Sequence, residues 1–266
     1  MTGSRGKSIF LWTFVTIALV MLSAPTIVVL GASFTAGNII TFPPDGFSLR
    51  WYSAIAQASD LRQAFLRSLI VAAISTLVAI PVGTLAGIAL AKHRVRFASS
   101  IQIYLLLPFT IPLIGSGIGL MLVFGNAGVL GSLWPVGIAC SVINLPFMIW
   151  AVTASASNLS PDLDLAAANC GAPPLQRFFY ITLPAVAPGI ITGSLLMFIL
   201  ALNEFLVSLL LVDARSVTLP VQIYNSIRSI ITPDLAAISV VFIVCAAVAI
   251  AVLDRLAGLD IFLRSK

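Results

Sequence analysis

Few residues in this chain have the types and spacing that covalent chemistry needs. Gly6-Lys7-Ser8 matches the end of a phosphate-cradling loop, but that loop requires another glycine five residues before Gly6 and a preceding strand. The position holds Met1, and a long apolar run follows. ATP hydrolysis is therefore not expected here. The sequence also has no His-Glu-x-x-His, no nucleophile elbow and no pair of carboxylates within its apolar runs, so an intramembrane hydrolase lacks its signatures. Cys140, Cys170 and Cys245 are far apart and form no Cys-x-x-Cys. They read as small membrane-buried residues rather than metal or redox ligands. His93, the sole histidine, sits in Lys-His-Arg-Val-Arg, a solvated basic loop. No catalytic or metal-binding set emerges.

One ionisable residue does fall inside an apolar run. Glu204 follows Asn203 toward the far end of the segment Ala185–Val212. A charge in hydrocarbon costs roughly 2.5–3.5 kcal/mol on insertion scales unless it faces a cavity or a partner. Two readings follow: an acid lining a path for solute, or an acid that pairs helices or lies near headgroup depth.

The other chemically distinctive stretch is Ser160–Pro184, a polar, turn-punctuated island. Ser160 can cap a helix starting at Pro161, with Asp162 and Asp164 near its positive end. Gly171 suits the left-handed turn that stops it. Pro173 and Pro174 can open a second short helix, which Pro184 is expected to keep from running on unbroken. Ala166, Ala167 and Ala168 let another surface approach the first helix closely.

This island resembles the cytoplasmic loop of bacterial binding-protein-dependent ABC import permeases, which carries Glu-Ala-Ala, three residues, Gly, nine residues, then Ile-x-Leu-Pro. Ala166, Ala167, Gly171, Ile181, Leu183 and Pro184 fall in register. Leu165 stands where the family has Glu. Asp164 is one residue away, a shift that turns a side chain by about 100° around a helix. Phe47–Tyr52, Leu106-Leu107-Pro108 with Pro112, Asn203-Glu204-Phe205 and Thr218-Leu219-Pro220 extend the likeness in order along nearly the whole chain, toward the spermidine/putrescine-type branch. The resemblance implies an all-α, six-span, type I permease. A second permease subunit, expected to make a heterodimer, would complete the pore, and an external solute-binding protein would deliver a small organic solute, polyamine-like by the branch. Two ATPase subunits would consume ATP and drive the loop, leaving this chain without a bound cofactor. Asp164, Leu165, Ala166, Ala167, Gly171, Ile181, Leu183 and Pro184 are then the ATPase-coupling residues, and Asn203 and Glu204 the candidate pathway residues.

Composition agrees with a membrane setting. Apolar residues make up 60% of the chain and charged residues 9%, too few to keep a soluble surface wet. The +5 net charge has no basic stripe with interleaved aromatics, so nucleic acid is not an expected partner. Six segments are long enough to cross a bilayer, which takes about 20 helical residues: Ile9–Leu30, Ser68–Ala91, Ile101–Phe124, Leu133–Ala156, Ala185–Val212 and Ala236–Leu253. The first is too long for a signal core and lacks a cleavage site. No linker or soluble domain interrupts residues 1–266, read as one permease domain. Arg5, Lys7, Lys92, Arg94, Arg96, Arg177, Arg255, Arg264 and Lys266 fall on one side of these spans; Arg50, Arg62, Arg67, Arg215 and Arg228 fall on the other. That bias places both termini and the Ser160–Pro184 loop in the cytoplasm of a bacterial inner-membrane protein. Trp51 and Tyr52 suit a short external helix, either as interface anchors or in docking. Thr232-Pro233-Asp234 looks like a cap and first turn for the last span.

The competing class is an ion-gradient-driven secondary transporter or channel. It calls for an inverted repeat, broken half-helices in matching positions and often more intramembrane acids; none is evident in the sequence.

Overall fold

The computed structural model describes residues 3–92, 98–105, 107–229 and 232–257. His93, Arg94, Arg96, Leu106, Arg264 and Lys266, used above for orientation and motif, lie outside the described residues. Among those described, the chain is helical, and its nearest approach to a sheet is one bridge between Thr35 and Phe47. Four helical stretches are long and apolar enough to span a bilayer, Phe10–Ala32, Ser59–Lys92, Leu133–Ser157 and Pro174–Leu202, with Leu113–Asn126 and Pro233–Val248 shorter.

Two compact units form. One comprises the chain up to Arg62 with Ile223–Cys245. Its first helix, α1 (Gly3–Ala32), buries none of its apolar window within the chain, as suits a helix that is apolar all round and faces lipid or another subunit. The following loop is held to α2 (Arg50–Gln57). Trp51 Nε1 donates to the Thr35 carbonyl at 2.9 Å, the Ser33 and Tyr52 hydroxyls share a 2.8 Å hydrogen bond, and Arg50 donates to the Gly37 carbonyl and Asn38 Oδ1. The polar ends of Trp51 and Tyr52 are thus committed to fixing this loop.

The other unit, Gln63–Gln222 with the end of the last helix, holds the larger core. Here α3 (Ser59–Lys92) contributes Ala79 and Ile88. The adjoining helix α7 (Leu133–Ser157) contributes Met148, Val152 and Ala156, and α10 (Leu183–Leu202) contributes Val186 and Met197. Lipid supplies no hydrophobic drive for helices to meet, so close backbone approach matters. At Gly189 an added Cβ would lie 2.6 Å from the Ala151 carbonyl oxygen, so only glycine lets α10 come this near α7. On the side carrying Ser68, the Leu219 amide at the start of α12 (Leu219–Ser229) donates to the buried Ser68 hydroxyl at 2.8 Å. In the turn before it, the Ser216 hydroxyl and the Arg215 amide bond the Asp213 carboxylate, holding its pKa below the usual range. The last helix, α13, runs Pro233–Ala257, with Thr232 accepting from the Leu235 amide.

Several expected boundaries change. The third span is not one helix but α4 (Ala98–Tyr104), α5 (Leu107–Thr110) and α6 (Leu113–Asn126). Pro112, with ψ 130°, sits extended ahead of α6, because proline lacks a donor and pushes Ile111 out of the helical region. The fifth span breaks after Leu202 and resumes as α11 (Leu206–Leu211). Broken helices therefore exist, although the sequence showed no half-helix pattern. Of the cysteines, Cys140 is buried and Cys245 half-buried, but Cys170 is exposed rather than membrane-buried.

Candidate coupling loop and translocation cavity

The Ser160–Pro184 island folds as its local signals require. A nine-residue helix is marginal alone, so its ends must be satisfied. In α8 (Pro161–Asn169) the Ser160 side chain accepts from the Asp162 amide at 3.2 Å, and Asp162 and Asp164 lie in the first turn. Gly171 has φ 82°. Its amide bonds the Ala168 carbonyl at 2.9 Å, while the Ala172 amide reaches back to the Ala167 carbonyl at 3.0 Å. These two bonds form the paired Schellman closure, which positive φ at Gly171 makes possible.

No residue of α8 is buried. Leu163 and Leu165 are 53% and 60% exposed, and Ala166 is exposed while Ala167 is half-buried. Asp164 faces differently. Its carboxylate accepts from Arg177 Nη1 at 3.2 Å, and Lys92 Nζ stands 3.9 Å away. Asp164 is thus engaged within the chain, and an apolar Leu165 occupies the outward position.

The continuation corrects one expectation. Pro184 does not stop the second helix. Instead α9 (Pro174–Arg177) passes through a π turn, Phe178–Thr182, directly into α10. The Leu183 amide bonds the Phe178 carbonyl five residues back. The wider turn absorbs the proline, whose ring would clash with a carbonyl four residues earlier in a regular helix. Ile181 and Leu183 are half-buried along this join, and Pro184 is exposed. A helical rod of 29 residues, about 43 Å by helical rise, so links the loop to Leu202.

At the far end of that rod, Asn203 caps α10 and its Nδ2 donates to the Ile199 carbonyl. Glu204 is half-buried, with Oε1 accepting from the Val207 amide at 3.0 Å in the first turn of α11. It also lines a cavity of about 470 Å³ with Thr110, Ile111, Pro112, Leu113, Ile143, Asn144, Phe147 and Leu200. Both interrupted spans, at Ile111–Pro112 and at Asn203–Phe205, meet this cavity. Irregular backbone at membrane depth is tolerated where it lines such a space. Pro146, inside α7, adds a third weak point beside Ile143, Asn144 and Phe147. Glu204 therefore caps α11 and faces a cavity.

The sequence did not single out Asn144, Thr110 or Phe147 as cavity residues, nor Lys92 and Arg177 as partners of Asp164. Pro112 and Pro146 are the one sequence signal close to the cavity, because proline interrupts or weakens a helix.

The family described as binding-protein-dependent transport system inner membrane component matches residues 79–259. The chain belongs to this family. The permease is 30% identical over 217 residues to the molybdenum transport system permease protein ModB of Mycobacterium tuberculosis, covering 76% of this chain and 81% of that one. It is 28% identical over 227 residues to the putrescine transport system permease protein PotI of Escherichia coli, covering 82% and 80%. Against the spermidine/putrescine transport system permease protein PotC of Escherichia coli it is 26% identical over 232 residues, 87% of each. A solved bacterial ABC transporter that imports the acidic polysaccharide alginate shares the fold, with TM-score 0.69, 16% identity, and coverage of 96% of the permease and 98% of that chain. The same system, in complex with an alginate pentasaccharide-bound periplasmic protein, gives TM-score 0.71 at 17% identity over 96% and 95%. The permease is thus an all-α membrane subunit of a binding-protein-dependent ABC importer, and its relatives are transport permeases. The family match sets the ion-gradient reading aside.

Proposed function

We propose that the permease passes a small organic cation of the polyamine type from an external binding protein to the cytoplasm, past Glu204. A second, non-identical permease subunit completes the path, and two ATPase subunits consume the ATP, with one seated on the exposed surface of α8 that carries Leu165. This chain binds no cofactor of its own, and both termini share the cytoplasmic side with α8. The observation that carries the substrate class is the Glu204 carboxylate facing the cavity. In a low-dielectric space it attracts a cation and repels an oxyanion such as molybdate. That favours the solutes in the names of PotI and PotC over the one in the name of ModB.

Ligands that bind only the folded state raise its stability by mass action, about 2.7 kcal/mol at one hundred times Kd. The cognate binding protein should therefore melt at higher temperature with putrescine or spermidine and be unmoved by molybdate. A shift with molybdate and none with polyamines would overturn the substrate assignment.

A further inference from the structure

We propose that Lys92, Asp164, Arg177 and Thr182 form an ionic strut that positions α8 on the ends of α3 and α10 and carries its movement into the helix leading to Glu204. The proposal rests on the reading that α8 seats the ATPase. The four residues come from separate elements: the last residue of α3, the first turn of α8, the end of α9 and the π turn. Lys92 Nζ donates to the buried Thr182 hydroxyl at 2.7 Å and stands 3.9 Å from Asp164 Oδ1. Arg177 Nη1 reaches both Asp164 Oδ2, at 3.2 Å, and the Asp164 carbonyl, at 3.4 Å.

Three physical features distinguish this cluster from an ordinary surface pair. Its side chains are 22–37% exposed, so solvent screens them less than a fully exposed pair. One carboxylate serves two cations, so removing either its charge or Arg177 changes the balance of the whole group. Arg177 Nε is buried with no hydrogen-bond partner in the chain, so this guanidinium is held by its Nη1 contacts to Asp164. Elsewhere α8 has no fully buried residue, and only Ala167 is half-buried. Without the strut, a push on its outer leucines is free to rotate a short helix on its flanking turns. With it, the push is delivered to the π turn, from which α10 runs unbroken. Lys92, Asp164, Arg177 and Thr182 are positioning residues in this account.

The test uses the complete transporter, with its second permease, ATPases and loaded binding protein, reconstituted in liposomes. Three quantities are read: ATPase co-purification, binding-protein-stimulated ATP hydrolysis, and solute imported per ATP hydrolysed. Arg177→Gln and Lys92→Gln should retain the ATPase and its hydrolysis while import per ATP falls by at least about fivefold, the lower end of usual coupling between sites. Arg177→Lys, which keeps the cation facing Asp164, should retain much of the ratio that Arg177→Gln loses. An unchanged ratio in both single variants overturns the strut, as does loss of ATPase binding in step with import, which marks a merely structural role. Failure of the seating reading is seen separately: Leu165→Arg, at an exposed position whose side chain is not one of the four strut residues, would then co-purify with the ATPase as wild type does.

Discussion

Replacing Glu204 with Gln removes one charge but leaves an amide oxygen able to accept the Val207 N–H that Glu204 Oε1 now takes at 3.0 Å. The cap on α11 and the shape of the cavity are kept, so the variant separates charge from packing. An ammonium that comes within some 5 Å of the carboxylate in this cavity is attracted by about 3 kcal/mol at an effective dielectric of 20. Desolvation of the solute and screening within an open path reduce this. A net loss of about 1.4–2.5 kcal/mol corresponds to roughly 10–70-fold slower uptake of a cationic solute. The assay is initial uptake of radiolabelled putrescine by cells expressing the full importer, with complex yield and ATP hydrolysis measured alongside. Glu204→Leu serves as a control: it loses both charge and cap, so it should also lower complex yield. Wild-type uptake by Glu204→Gln, with yield reduced only in the Leu variant, would show that Glu204 acts in packing alone and refute the electrostatic argument.

Three further outcomes are expected. Gly171→Val places a β-branched side chain at φ 82°, at a cost of more than about 1 kcal/mol, so it should fray α8 and reduce ATPase co-purification and uptake while membrane insertion stays normal; normal uptake would contradict the capping account. Gly189→Leu inserts a side chain where a Cβ already meets the Ala151 carbonyl at 2.6 Å, so it should lower the Tm of the purified importer, by about 1–3 kcal/mol of overpacking. In a background with Cys140, Cys170 and Cys245 replaced, Ala214→Cys should react with an impermeant thiol reagent in intact cells and Ala172→Cys should not; labelling of Ala172→Cys from outside would invert the proposed orientation.

The Ser160–Pro184 loop was legible in the sequence because its determinants are local. Ser160, Pro161 and Gly171 bond or shape backbone within a few residues of themselves, so type and spacing suffice to define α8. Membrane residence was equally legible, since long apolar runs and scarce charge follow from solvation alone. Helix continuity was less so. Proline is often carried within membrane helices, as Pro146 is carried in α7, so its presence does not say where a helix breaks. The third and fifth spans break at Pro112 and after Leu202, whereas the expected break at Pro184 is absorbed by a π turn.

What only tertiary structure decided is the company each polar residue keeps. Asp164 lies one residue, about 100° around the helix, from the position where the family motif has Glu. Folding turns it onto Arg177 and toward Lys92 and leaves Leu165 outward. Lys92 reaches Thr182 across 90 residues of sequence, a pairing that no local pattern encodes. The cavity likewise draws on three separate stretches, around Pro112, Asn144 and Glu204. Residue type determined that a carboxylate at position 204 needed an environment able to hold it. The packing of three helices supplied that environment, because close approach at glycines and interruptions at helix breaks depend on which helices become neighbours, a relation fixed only when the chain is folded.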